Sequence, residues 1–265
     1  MTAITLDRPT PALGGFTLTY LRLELLRKIR NPRGLFFTVA FPVLMFFIVG
    51  YQMLDTPLTE IPVASGGVSV AAYIMVSMAM YGAMMSATQT GASVAAERAQ
   101  GWTRQLRLTP LNPVVNVAVK TIAGMMFGLV AIVATYAAAA FSGVELSASQ
   151  WLVSGLAAWL LAGAVFTTLG LMVGYMVPGE NVAQITSLVV VLLSFLGGLF
   201  FPLSNMPDFL QQIGKLTPVY GIGELARSPL TGEAFDLGAL VNAVIWLAVF
   251  VAGTVYFFRR DTRRS

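Results

Sequence analysis

Three observations predict an all-α, polytopic membrane protein with six transmembrane helices. Hydrophobic residues make up 57% of the 265 and charged ones 11%, more apolar surface than a water-soluble domain can hide. Six runs meet the bilayer's requirement of about 20 mostly apolar residues per helical span. Lys and Arg gather in alternate loops, the bias that keeps positive loops in the cytoplasm.

The chain divides into an N-terminal segment (1–33), a six-span domain (34–258) and a basic tail (259–265). Before the first span, Leu18, Leu21, Leu25 and Ile29 share one face at helical spacing, with Glu24, Arg27 and Arg30 largely opposite and Leu23 breaking the pattern. Such a helix lies in the inner interface and attracts anionic headgroups; a plain membrane anchor would look the same. Asn31-Pro32 then turns the chain into the first span.

The spans are read at 35–54, 68–95, 114–141, 151–177, 182–201 and 238–258. An even number puts both termini on one side. Fourteen of the sixteen Lys and Arg lie there, among them Arg8, Arg22, Arg27, Lys28, Arg30 and Arg33 before the first span and Arg259, Arg260, Arg263 and Arg264 after the last. Only Lys215 and Arg227 lie on the other side, against seven acids. Both termini are therefore expected in the cytoplasm, and the high pI follows from topology rather than nucleic-acid binding. A polar segment of more than thirty residues precedes the first apolar run, so a cleavable signal is not expected.

Within the spans Lys120 is the only ionisable residue besides Tyr, near a cytoplasmic end where its stem can snorkel to the interface. Carriers driven by protons or sodium usually hold a carboxylate or His at mid-depth, and none is present. With no Cys and no His, thiol chemistry and the usual zinc or haem ligand sets are not expected. No phosphate-cradling Gly-x-x-x-x-Gly-Lys-Ser/Thr loop occurs either, since the one Gly-Lys pair, Gly214-Lys215, precedes Leu216. No catalytic, cofactor or metal residue is assigned, and any nucleotide-driven work falls to a separate chain.

The longest charged inner loop runs from Glu97 to Pro113. The second span enters it without a breaker until Gly101; Trp102, Leu106 and Leu108 then alternate with Arg104 and Arg107 until Pro110 and Pro113 stop the helix. A short amphipathic helix across the membrane face is expected, or a loop whose arginines only enforce topology. On the other side, Pro202, Pro207 and Pro218 punctuate a stretch too apolar for a solvated loop and too interrupted to span. Pro207-Asp208 suits a helix's first turn, so a short helical pair dipping into the outer leaflet is expected, with an interfacial cap as the plainer reading. The methionines Met75, Met78, Met80, Met84 and Met85, together with Pro42 and the Gly170/Gly174 pair, read chiefly as packing inside one bundle.

Glu97-Arg98-x-x-Gly101-x-x-x-x-Leu106-x-x-Thr109-Pro110-Leu111 resembles the cytoplasmic signature of the ATP-binding-cassette type-2 exporter permeases. Phe201-Pro202-Leu203-Ser204-Asn205-Met206-Pro207, with Leu216-Thr217-Pro218 and Glu224-Leu225-Ala226-Arg227, is similar to that family's segment before its last span. Gln100 and Trp102 depart from the usual pattern, where a Lys and a small or β-branched residue are common.

The resemblance implies a coupling helix seated on an ATPase subunit, with Glu97, Arg98, Gly101, Trp102, Arg104 and Leu106 as the candidate contact. It also implies a connecting helix carrying Leu18, Leu21, Leu25, Arg27 and Ile29, and an outer gate at Pro202, Pro207, Phe209 and Pro218. The expected activity is outward movement of an amphiphile such as a drug, antibiotic or lipid, in a multi-pass bacterial plasma-membrane complex. Two ATPase subunits would bind the ATP and Mg, and the permease would pair with a second copy or a related permease. Substrate-binding residues are not assigned. Alternatives are a polysaccharide or glycolipid exporter, a passive channel, and a scaffold or sensor that transports nothing; a sugar path is disfavoured because only Trp159 and Trp246 lie well inside spans.

Overall fold

The computed structural model describes residues 12–57, 68–101, 112–177, 181–231 and 236–262. Nine helical elements carry the described fold: α1 (Leu18–Ile29), α2 (Pro32–Met53), α3 (Val70–Ala99), α4 (Pro113–Phe141), α5 (Ala148–Met176), α6 (Val182–Leu196), α7 (Asp208–Lys215), α8 (Pro218–Thr231) and α9 (Leu237–Thr262). Five of them, α2, α3, α4, α5 and α9, are long and apolar enough to cross a membrane. The chain is thus an all-α, multi-pass membrane protein.

The helices start where polar side chains can satisfy free N–H groups. Thr17 accepts from the Tyr20 amide at 3.1 Å to begin α1, Asn31 from Gly34 at 3.1 Å to begin α2, and Asn112 from Val114 at 2.9 Å to begin α4. The fourth span begins at Ala148, three residues before the expected 151, because Ser147 and Gln150 form a reciprocal capping box. Replacing Ser147 with Ala is expected to lower the thermal unfolding midpoint, in line with a cap worth about 1 kcal/mol.

The fifth span is shorter than the expected 182–201. Helix α6 stops at Leu196, where Gly197 caps it and Gly198 takes a left-handed φ of +78° that only glycine adopts cheaply. Fifteen residues rise about 22 Å, against a hydrocarbon core of about 30 Å. The first span differs in another way: around Pro42, α-helical Pro32–Leu35 and Phe41–Met45 alternate with π-helical Phe36–Ala40 and Phe46–Gly50 before a 3-10 turn at Tyr51–Met53. Proline lacks the N–H that its preceding turn would use, and π stretches absorb such faults.

Helix α3 is the bundle's axis. It packs along most of its length against α5 and α4, with α6 and α2 closing the remaining sides and α8 and α9 lying against α5. Met75, Met80, Met84 and Met85 are buried within it, so the methionine run is core. Its crossing with α5 is tight, because a Cβ at Gly91 would lie 1.8 Å from the Gly170 carbonyl oxygen and one at Gly174 would lie 2.4 Å from that of Gly91. The glycine pair in the fourth span is therefore a packing device. Leu152, Leu156 and Leu160 on α5, Leu188 and Leu192 on α6, and Val241, Val244 and Ile245 on α9 face outward, where a bilayer would cover them.

Candidate functional site

The charged residues in the described bundle gather at its two ends. The end that holds α1, the end of α3 and the start of α4 contains the denser charge cluster. Helix α1 docks on α4 through Glu24, which is only 7% exposed, with Leu21 and Leu25 half-buried beside it, whereas Leu18 and Ile29 at its two ends point away from the protein. At 100° per residue Glu24 lies roughly 110° around the helix from the centre of the leucine stripe. One face thus remains for lipid and another grips the bundle.

Glu24 grips Lys120. The Lys120 ammonium does not snorkel outward but is 1% exposed, donating to Glu24 Oε1 at 2.8 Å and to Glu97 Oε1 at 2.7 Å. Arg27 Nη1 donates to the same Glu97 oxygen at 2.9 Å. Two carboxylates and two cations from three helices therefore balance at one joint, which is what makes burying an ammonium tolerable. The Tyr20 hydroxyl donates to Asn116 Oδ1 beside it. Burial first, then Glu24 and Glu97, hold the Tyr20 phenol well above its usual range, so it stays a donor. Lys28, half-buried on the same helix, is pushed down to about 8 by burial against the pull of Glu24.

The next residue ties the loop to a fourth helix. Arg98 Nη1 donates to the Gly174 carbonyl of α5 at 2.9 Å, and its guanidinium lies 5.3 Å from the centroid of the Tyr175 ring. Helix α3 ends at Ala99, and two residues on Gly101 takes a left-handed φ of +74°, where a Cβ would meet nothing within 4 Å. Of the six residues expected to touch an ATPase, Glu97, Arg98 and Gly101 are thus placed at this end of α3. Trp102, Arg104 and Leu106 lie outside the described residues. Reading the residues in isolation missed Glu24, Lys120 and Tyr20, although a lone cation in an otherwise uncharged span was the available signal for a buried partner.

At the opposite end, Pro207 caps α7 and Asp208 opens it, matching the expected helical pair α7 and α8. Pro218 is buried at the start of α8 and Pro202 is half-buried, but Phe209 is 63% exposed and points away from the protein. Of the four residues assigned to the outer gate, Pro218 is thus buried, Pro202 half-buried, and Pro207 and Phe209 exposed.

Between the ends, α2, α3 and α6 enclose an apolar groove of about 370 Å³ lined by Phe37, Phe41, Met45, Tyr81, Phe195 and Phe200, among others. Its aromatic rings touch, with centroids 5.4 Å apart for Phe41 and Tyr81 and 4.6 Å for Phe195 and Phe200. The Trp159 and Trp246 indole N–H groups are already committed to the backbone oxygens of Met125 and Leu216, each at 2.8 Å.

Residues 17–231 match the family model described as ABC-2 type transporter. A Bacillus subtilis (strain 168) protein whose name calls it a transport permease, YvfS, is 27% identical over 245 residues, covering 90% of this chain and 95% of that protein.

Proposed function

Since the chain belongs to the ABC-2 type transporter family as a transmembrane permease subunit, we propose that it exports an amphiphilic substrate on the strength of ATP hydrolysed by a separate ATPase. The observation that carries the coupling part of this reading is the joint at Lys120, where the residue that opens the inner loop, Glu97, is bound both to α4 and, through Arg27, to α1. A push on that loop reaches α1, α3 and α4 together, and through Arg98 it reaches α5. Trp102, Arg104 and Leu106 would complete the ATPase contact. ATP and Mg would be held by the ATPase subunits, two to a complex, beneath a permease paired with its own copy or a related one. Both termini and the joint would face the cytoplasm of a bacterial cell.

The aromatic groove favours an apolar body of drug, antibiotic or lipid type. Its lining offers van der Waals and ring contacts rather than the hydrogen bonds a sugar would need. Pro202, Pro207, Phe209 and Pro218 belong to the outer mouth in this reading, with Phe209 acting as an apolar anchor in the outer leaflet.

Co-reconstitution with the cognate ATPase in proteoliposomes tests the proposal. Glu97→Gln is expected to lower substrate-stimulated ATP hydrolysis by about ten-fold while membrane insertion is retained, a loss within the usual range of coupling energies. Gly101→Ala should act in the same direction through backbone strain alone, since its site is uncrowded. Full transport in both variants would defeat the coupling role, flux without nucleotide would make the chain a channel, and purification without an ATPase under conditions that preserve a known transporter would favour a scaffold.

A further inference from the structure

Coupling leaves unused a second buried charge, at the other end of the bundle. Arg227 on α8 is 2% exposed. Its Nη2 donates to Glu224 Oε1 at 2.8 Å, its Nη1 to Ser77 Oγ at 3.3 Å, and its guanidinium lies 4.5 Å from the centroid of the Tyr73 ring. The ring belongs to α3, and its hydroxyl donates to the Gly198 carbonyl at 3.2 Å, so the arginine is set in a rigid frame. Its Nε–H, however, is buried without an acceptor among the described residues. Such groups are rare in folded proteins and call for an unseen partner.

Arg227 lines a half-open cavity of about 180 Å³, together with Ser204, Gln211, Lys215, Tyr220 and Glu224. Ser204 Oγ is a second buried polar atom without a partner, and it borders the same space. The wall carries two cations and one carboxylate. Glu224 is already engaged with Arg227, and Gln211 Nε2 with the Met206 carbonyl at 2.9 Å. With Glu224 balancing Arg227, the wall keeps one net positive charge, on Lys215, and two buried groups free to donate, the Arg227 Nε–H and the Ser204 hydroxyl, a setting that favours an oxyanion. The volume equals roughly six waters at about 30 Å³ each, enough for one phosphate-sized group with part of its hydration.

We infer that this chamber binds a single oxyanion group, a phosphate or a carboxylate, held between Arg227 and Lys215. Arginine supplies its unpaired Nε–H, its Nη groups being engaged by Glu224 and Ser77, and lysine supplies the mobile point charge. The group can arrive on a lipid or free in solution. Phe209 and Leu216 stand out from the protein beside the chamber, as apolar anchors do at headgroup depth.

The test uses the full chain in an uncharged maltoside detergent, titrated calorimetrically with inorganic phosphate, short-chain phosphatidylglycerol and the matching uncharged diacylglycerol. Saturable binding of phosphate or phosphatidylglycerol, absent with diacylglycerol, is expected; binding of the lipid alone identifies a headgroup, and binding of both identifies the oxyanion itself as sufficient. Lys215→Glu, at an exposed position that should fold normally, is expected to weaken binding about ten-fold or more, as loss and reversal of a charge-assisted contact requires. Ser204→Ala should weaken it by a smaller factor. Arg227→Lys keeps the charge but loses the Nε–H and should also bind weakly; if that variant fails to fold, Lys215→Glu decides. No preference for the two anions over diacylglycerol, or an isotherm unmoved by Lys215→Glu, overturns the assignment.

Discussion

Lys120→Met is expected to be the most damaging single substitution at the inner end, lowering stability by about 3–5 kcal/mol. Methionine fills nearly the same volume, so the loss is electrostatic: Glu24 and Glu97 stay buried or nearly so, and their shared cation is gone. Arg27 does not replace it, because its side chain is about half exposed and therefore screened by water. Thermal unfolding in detergent, followed by tryptophan fluorescence, measures the drop. The triple variant Glu24→Gln, Lys120→Met, Glu97→Gln removes the charges as a set and should recover most of the stability, since a neutralised pocket has no uncompensated ion. Its coupled ATP hydrolysis should stay low. A triple variant as unstable as Lys120→Met would mean that packing around the lysine stem, not charge balance, holds the joint.

The second large effect belongs to the crossing of α3 and α5. Gly91→Ala places a methyl 1.8 Å from the Gly170 carbonyl oxygen and 2.4 Å from the Leu171 nitrogen, both backbone atoms that cannot rotate aside. The helices must separate, at a cost expected to reach or exceed the roughly 1–3 kcal/mol of ordinary overpacking. Gly170→Ala meets the Thr88 carbonyl oxygen at 2.4 Å and should behave alike, whereas Gly128→Ala has its nearest neighbour at 3.3 Å and should be much milder. Size-exclusion profiles and unfolding midpoints of the three variants rank them. Equal tolerance at all three positions would contradict the close approach.

Much of this architecture was legible in the order of residues. The apolar runs located the long helices to within a few residues at most ends, and Asn31-Pro32 and Gly101 marked a start and a stop that the structure keeps. What sequence reading missed shares one cause, the meeting of residues far apart in the chain. Lys120 and Glu24 are 96 positions apart, and local pattern made the lysine a snorkelling end residue because nothing nearby could pair with it. The leucine stripe of α1 was visible, but periodicity reports which face is apolar and not what each face touches. Hydropathy carried the fifth span through Gly197-Gly198 to Phe201, because an apolar average is blind to a left-handed φ. Arg227 was read only as part of the outer motif; its Ser77 contact crosses 150 positions and leaves no local trace.

The enclosed position of α3 has a consequence for how the protein is made. It is the least apolar of the five long helices, and several of its polar side chains find partners on helices synthesised later: Ser86 donates to the Gly124 carbonyl of α4 at 2.7 Å, and Gln89 to Ser187 of α6 at 3.0 Å. When α3 first leaves the ribosome neither partner exists. Its glycines and hydroxyls are then a poor match for lipid, and they become a good match only as α4, α5 and α6 arrive. Biogenesis must therefore hold the second span at the insertion machinery, or let it wait at the lipid edge, until about a hundred further residues have been translated.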